Sequence, residues 1–171
     1  IKTQLCVPNY GIQLLYFDYF AMLLKLDTLG ISDVIEELAY EGKIEKLVLK
    51  INDILKKLSD RDFIKFDEKH IKLVIMTYIL QMHNQVYIVK SEYEIENGYI
   101  DIMLWRRYPE IKYELMFEIK YLHKKDATET AVQTKLANAR TQIQNYCKAM
   151  EFENKPFLRK YALIIVGETV E

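Results

Sequence analysis

Apolar positions keep a helical spacing through the first part of this chain and switch to alternation in the second. After a short lead that ends in the turn signal Pro8-Asn9, residues 10–27 are apolar-rich and predict a helix. It closes at Thr28-Leu29-Gly30, where glycine suits a helix C-terminus. Ser32-Asp33, with Glu36 following, offers N-cap chemistry for a second helix to about Tyr40, broken at Gly42. Ile44, Leu47, Ile51, Ile54, Leu55 and Leu58 recur at helical intervals and predict a third helix over 43–58. Residues 1–58 thus read as a small helical lobe, and the polar joint Ser59-Asp60-Arg61-Asp62 opens a second unit, 59–171. The aromatic cluster Tyr16, Phe17, Tyr19 and Phe20 reads as packing in preference to a base-stacking surface.

The second unit begins with a helix over 67–82. Glu68, Ile75, Ile79 and Met82 lie within about 40° of one line on a wheel of about 100° per residue, so Glu68 shares a face with core residues. Alternating, β-branched and aromatic stretches at 85–94, 98–105 and 113–121 predict three strands. A long helix over 128–150 follows, with an apolar stripe of Leu136, Ile143, Cys147 and Met150 and a separate line of Lys135, Gln142 and Tyr146. The uninterrupted apolar run at 160–166 predicts a fully buried strand. The order α-β-β-β-α-β, with a helix long enough to be a crossover, predicts a mixed sheet flanked by helices in an α/β fold, its last strand parallel to a partner.

The pair of strands over 98–121 carries the candidate chemistry. Side chains alternate between faces. One face holds Ile100, Ile102, Leu104, Leu115, Phe117, Ile119 and Tyr121 and belongs against a core. The other holds Asp101, Met103, Trp105, Glu114, Met116, Glu118 and Lys120. A loop symmetric about Pro109 and Glu110 sets Met103 opposite Met116 and Asp101 opposite Glu118. Two carboxylates in that position repel. Lys120 balances part of the charge, and a divalent cation held by both acids, such as Mg²⁺, would balance the rest. The Ile119 carbonyl is a further oxygen ligand at that spacing, and Glu68 is placed to complete the acid set from its helix.

Composition narrows the field. Half of the 171 residues are hydrophobic, glycine and proline are scarce, and the net charge is −1, which argues against a broadly basic coat but allows a local basic groove. Arg106, Arg107, Lys124, Lys125 and Lys135 are the candidate phosphate contacts, with a solvated surface the commoner fate of such residues. Cys6 and Cys147 form no metal motif and suggest a reducing, cytoplasmic setting; His70, His83 and His123 show no ligand spacing. No apolar run is long enough to span a bilayer. The chain starts at Ile1, which suggests a piece of a longer protein.

Taken together, Glu68, Gly98-Tyr-Ile-Asp101, Glu118-Ile-Lys120 and Gln142-Ile-Gln-Asn-Tyr146 in this element order resemble the PD-(D/E)xK nuclease superfamily. More narrowly they resemble the nuclease-like domain at the C-terminus of bacterial AAA-ATPase-like proteins. Gly11 and Tyr99 depart from that narrower pattern, which has an acid and a basic residue there. The resemblance implies a restriction-endonuclease-like core, Mg²⁺ or Mn²⁺ as cofactor, and nucleic acid, DNA ahead of RNA, as substrate. It implies Asp101, Glu118 and Lys120 as the metal and catalytic residues, with Glu68, Gln142 and Tyr146 lining the site. An ATPase domain in the same full-length chain is the implied partner. The alternative is a nuclease fold used only to bind nucleic acid or protein, which the near-neutral charge favours.

Overall fold

The computed structural model describes residues 10–23, 30–57, 67–81, 86–96, 98–167 and 169–170. Helices α1 (Tyr10–Leu23), α2 (Ile31–Glu36, extended by a π-helical turn over Glu37–Glu41), α3 (Glu45–Leu55) and α4 (Glu68–Leu80) come first. Strands β1 (Tyr87–Ile95), β2 (Gly98–Arg106) and β3 (Glu114–Leu122) follow, then α5 (Glu129–Tyr146), β4 (Leu158–Val166) and the two-residue β5 (Thr169–Val170). The expected closure of the first helix at 28–29 and the strand start at 85 lie outside the described residues. Helix α2 begins at Ile31 with Gly30 in the left-handed region (φ 76°) as its cap, so Ser32 and Asp33 sit within the first turn and do not cap it. Gly42 ends the π-turn at φ 65°. A Cβ there would stand 2.8 Å from the Tyr113 ring, so both conformation and space call for glycine.

The sheet order is β1-β2-β3-β4-β5. β1, β2 and β3 are antiparallel neighbours, β4 runs parallel to β3 through the α5 crossover, and β5 pairs antiparallel with β4. This is the expected mixed α/β sheet with flanking helices and a helical N-terminal part. Each face of the sheet is covered. Ile102, Leu104, Leu115, Phe117 and Ile119 pack with Leu38, Leu47, Ile51, Ile71 and Ile75 of the helices before β1. Met103, Met116 and Leu158 pack with Ile143 and Tyr146 of α5 and with Phe152 on the other side.

Two packing expectations are corrected. Ile100 leaves the face of Ile102 and joins the α5 side. The neighbouring strand β1 is distorted there: Ser91 pairs with Ile102 and Tyr93 with Ile100, but Glu92, at φ 49°, breaks the ladder opposite Asp101. Met150 is 85 % exposed because α5 ends at Tyr146. The buried line of α5 is Ala139, Ile143 and Tyr146, at steps of four and three, so Tyr146 belongs to the apolar stripe. On α1, the expected packing of the aromatic cluster does not extend to Tyr16 and Tyr19, which are more than half exposed and touch only the Phe20 ring among the ring contacts of the described residues.

Candidate active site

β2 and β3 pair only through Ile102↔Phe117, Met103↔Met116 and Leu104↔Leu115. That register is the expected one and places Asp101 opposite Glu118. Beyond Ile102 the two strands separate, and β3 is left with backbone N–H groups on the edge that faces β2. Side-chain carboxylates take the place of the missing strand. Asp101 Oδ2 accepts the Ile119 N–H at 2.7 Å, and Glu68 Oε1 accepts the Tyr121 N–H at 3.2 Å. The Ile119 carbonyl leaves the strand on the same edge as its N–H, because a residue in a ladder presents both groups to one neighbour. It therefore points into the gap beside Asp101.

Helix α4 supplies the residues that reach this gap from the first face. Its start is fixed by a capping box: Asp67 Oδ1 accepts the N–H of Lys69 (2.9 Å) and His70 (3.3 Å), and His70 Nδ1 accepts the Asp67 N–H at 3.2 Å. Glu68 then reaches β3, and Lys72, one turn on, reaches Asp101 of β2 and Glu92 of β1. Lys72 is absent from the sequence-based set, and it is the main addition the structure makes. Its ammonium donates to Asp101 Oδ1 at 3.1 Å and to Glu92 Oε1. The Lys72 and Asp101 side chains are 11 % and 13 % exposed. Burial works to lower the Lys72 pKa, but Glu92 and Asp101 outweigh it and hold the ammonium above the ordinary lysine range.

Glu118 lies deepest, at 2 % exposure. Its Oε1 accepts from Lys120 Nζ at 2.6 Å. Its Oε2 is buried with no hydrogen-bond partner of normal geometry among the described residues. Burial, and then the charge of Asp101, push the carboxyl above the ordinary glutamate range, against the pull of Lys120 and the nearby Tyr146 phenol. The phenol is itself pushed up, first by burial and then by the Glu118 charge. Gln142 Nε2 donates to the Tyr146 hydroxyl at 3.4 Å. Asp101, Glu118, Lys120 and Tyr146 are thus brought together. Gln142 stands behind Tyr146, and Glu68 stands two residues along β3 from Asp101.

The candidate phosphate contacts do not all gather here. Arg106 and Arg107 lie five and six residues up β2 from Asp101, about 17–20 Å at ~3.3 Å per residue. Arg106 donates to the Ile111 carbonyl at 3.4 Å, a turn contact. Lys124 and Lys125 follow directly after β3 in an exposed 3-10 turn, and Lys135 is on α5. A groove of about 320 Å³ opens beside Lys72, lined by Asp67, Glu68, Lys69, Lys72, Tyr121 and His123.

No group of three or more His, Cys, Asp and Glu side chains with metal-ligand geometry occurs among the described residues. A cation here would be held by two carboxylates and a main-chain carbonyl. That is a hard-oxygen set suited to an ion such as Mg²⁺, which keeps several waters and takes one or two carboxylates. The buried Glu118 Oε2, with the Tyr146 phenol near but no hydrogen-bond partner of normal geometry, fits such an ion, since an incompletely satisfied buried oxygen costs free energy until a cation or donor meets it.

A family model described as the PD-(D/E)XK nuclease superfamily matches residues 66–171, more than half of the chain. No curated protein matches it. Among the described residues, no helix is long and apolar enough to cross a membrane.

Proposed function

The chain belongs to the PD-(D/E)XK nuclease superfamily, and on that premise we propose that it hydrolyses phosphodiester bonds of nucleic acid with a divalent metal. The observation that carries the reading is Glu118. Its buried Oε2 has no hydrogen-bond partner of normal geometry, Asp101 stands opposite, and Lys120 is at hand. Asp101, Glu118 and the Ile119 carbonyl would hold Mg²⁺ or Mn²⁺. When bound, such an ion lowers the pKa of a water ligand and neutralises charge building on phosphate oxygens. The protein's own groups do the rest. Lys120, a compact point charge, orients the attacking water or meets the developing anion. Tyr146, fixed by burial and by Gln142, closes the α5 side of the site and keeps bulk water from Glu118. Glu68 fixes the strand that carries both catalytic groups by holding the Tyr121 N–H.

DNA is the preferred substrate in this reading, and an ATPase module in the same full-length protein is the partner. Both rest on the sequence resemblance. A second reading has an observation in its favour: each acid already has a lysine, Asp101 with Lys72 and Glu118 with Lys120. On that reading the site is an internally neutralised relic used for binding. Incubation with DNA and RNA, single- and double-stranded, in Mg²⁺, Mn²⁺ or EDTA separates the two. Cleavage that requires metal and is lost in Lys120→Ala supports the nuclease. Binding without cleavage in either metal, or cleavage that survives Lys120→Ala and Glu118→Gln, overturns it.

A further inference from the structure

The site has one ion pair too many for a simple metal-binding dyad. Lys72 is a buried lysine on the apolar side of α4, and nothing in the proposed chemistry uses it. It is bound at once to Asp101, which is in the site, and to Glu92, which is not. Glu92 is unusual in turn. It is a non-glycine residue at φ 49° in the middle of a β-strand, a conformation that L residues avoid. The distortion breaks the β1–β2 ladder opposite Asp101 and turns the Glu92 carboxylate to Lys72. Strain of this kind persists only where neighbouring contacts enforce it. Here they build a buried ammonium with two carboxylate partners, one 13 % exposed at the site and one 54 % exposed at the sheet edge.

We propose that Lys72 is the resident cation of this site. It neutralises Asp101 in the metal-free protein and passes to Glu92 as a divalent ion takes up the Asp101 and Glu118 oxygens. This rests on the metal-dependent reading above. Lys72 is then a positioning residue: it sets metal affinity and keeps the gap between β2 and β3 filled when no metal is present. With Lys120 on Glu118, a divalent ion and Lys72 together would set four positive charges against two carboxylates, so uptake of the ion and release of Lys72 from Asp101 are one event. Glu92 makes that release possible, because without it the ammonium would be left buried and unpaired.

The test is calorimetric titration of the whole chain with Mn²⁺ alone, with no substrate. Charges a few ångströms apart still interact strongly near a protein surface, so removing the competing ammonium in Lys72→Met should tighten Mn²⁺ binding by about tenfold or more. Glu92→Gln should act in the opposite sense, since Lys72 then has only Asp101, and should weaken binding several-fold. Lys72→Arg should behave as the parent does. Lys69→Met and Glu94→Gln remove the same charges nearby without touching Lys72 or Asp101, and should change affinity by less than about twofold. Glu92 and Glu94 are exposed, so their variants report even if Lys72→Met fails to fold. Equal Mn²⁺ affinity in the parent, Lys72→Met and Glu92→Gln overturns the role of Lys72 and leaves the nuclease reading standing. Shifts as large in the Lys69 and Glu94 controls overturn it too, by reducing it to net charge. No Mn²⁺ uptake by parent or variants overturns the metal-dependent reading and this inference with it.

Discussion

Replacing Asp101 by alanine should damage the fold as much as the chemistry. Asp101 Oδ2 takes the Ile119 N–H at 2.7 Å, and Oδ1 takes the Lys72 ammonium at 3.1 Å. A hydrogen bond to a charged acceptor contributes about 1.5–3 kcal/mol. Removing one member of a buried ion pair costs about 3–5 kcal/mol when the other is left uncompensated. Lys72 keeps Glu92, so the second figure is discounted by about half and partly overlaps the first. The expected loss for Asp101→Ala is about 3 kcal/mol, which at this chain length lowers Tm by roughly 6–12 °C. Asp101→Asn keeps an acceptor for Ile119 but sets an amide against the ammonium, and should lose about 1–2 kcal/mol. The assay is urea unfolding followed by circular dichroism in EDTA. Asp101→Ala, Lys72→Met and the double variant close a cycle whose coupling should exceed about 1 kcal/mol. If Asp101→Ala lies within about 0.5 kcal/mol of the parent, or the two changes simply add, the carboxylate does not hold the strands together.

Four other outcomes are expected. Glu118 has its pKa raised by burial, so between the ordinary glutamate value and the raised one the folded state keeps a proton that the unfolded chain has released; metal-free stability should fall as pH rises through that interval, and Glu118→Gln should flatten the slope across a urea series from about pH 4 to 8. Tyr146→Phe removes a group that pulls the Glu118 carboxyl down, so the same series should shift to higher pH with a loss of about 1 kcal/mol or less, and Gln142→Ala, which touches only the phenol, should move it less. Glu68→Ala leaves the Tyr121 N–H without its acceptor and should cost about 1–2 kcal/mol by chemical denaturation, whereas Glu68→Gln should cost under about 0.5. Gly42→Ala should lose about 2–3 kcal/mol in thermal unfolding from the left-handed backbone and the Tyr113 ring together, and Gly30→Ala, with only the tip of Lys50 nearby, about 1.

Much of the site was legible because strands have a period of two and the loop between β2 and β3 is short. Those two facts fix Met103 opposite Met116, and with it the meeting of Asp101 and Glu118. Helix α5 was legible in kind, and Ile143 lies on both the expected and the observed buried line, but Ala139 and Tyr146 take the places expected of Leu136, Cys147 and Met150. Lys72 was missed although a signal existed. It stands four residues after Glu68, three before Ile75 and seven before Ile79, on the same stripe of α4, so a charge interrupts an apolar face. What no pattern shows is Glu92. Its sequence neighbours give no hint of a left-handed residue in a strand, and its contact with Lys72 joins residues far apart in the chain.

The parallel pairing of β3 with β4 has a consequence for biosynthesis. Glu118 and Lys120 are flanked on one side by Ala162 and Ile164 of β4, which leave the ribosome only after the whole of α5. Until they do, the central strand is a half-made ribbon with both its acid and its base exposed to solvent. A message cut short before this point should yield a product whose central strand lacks its parallel partner and does not fold.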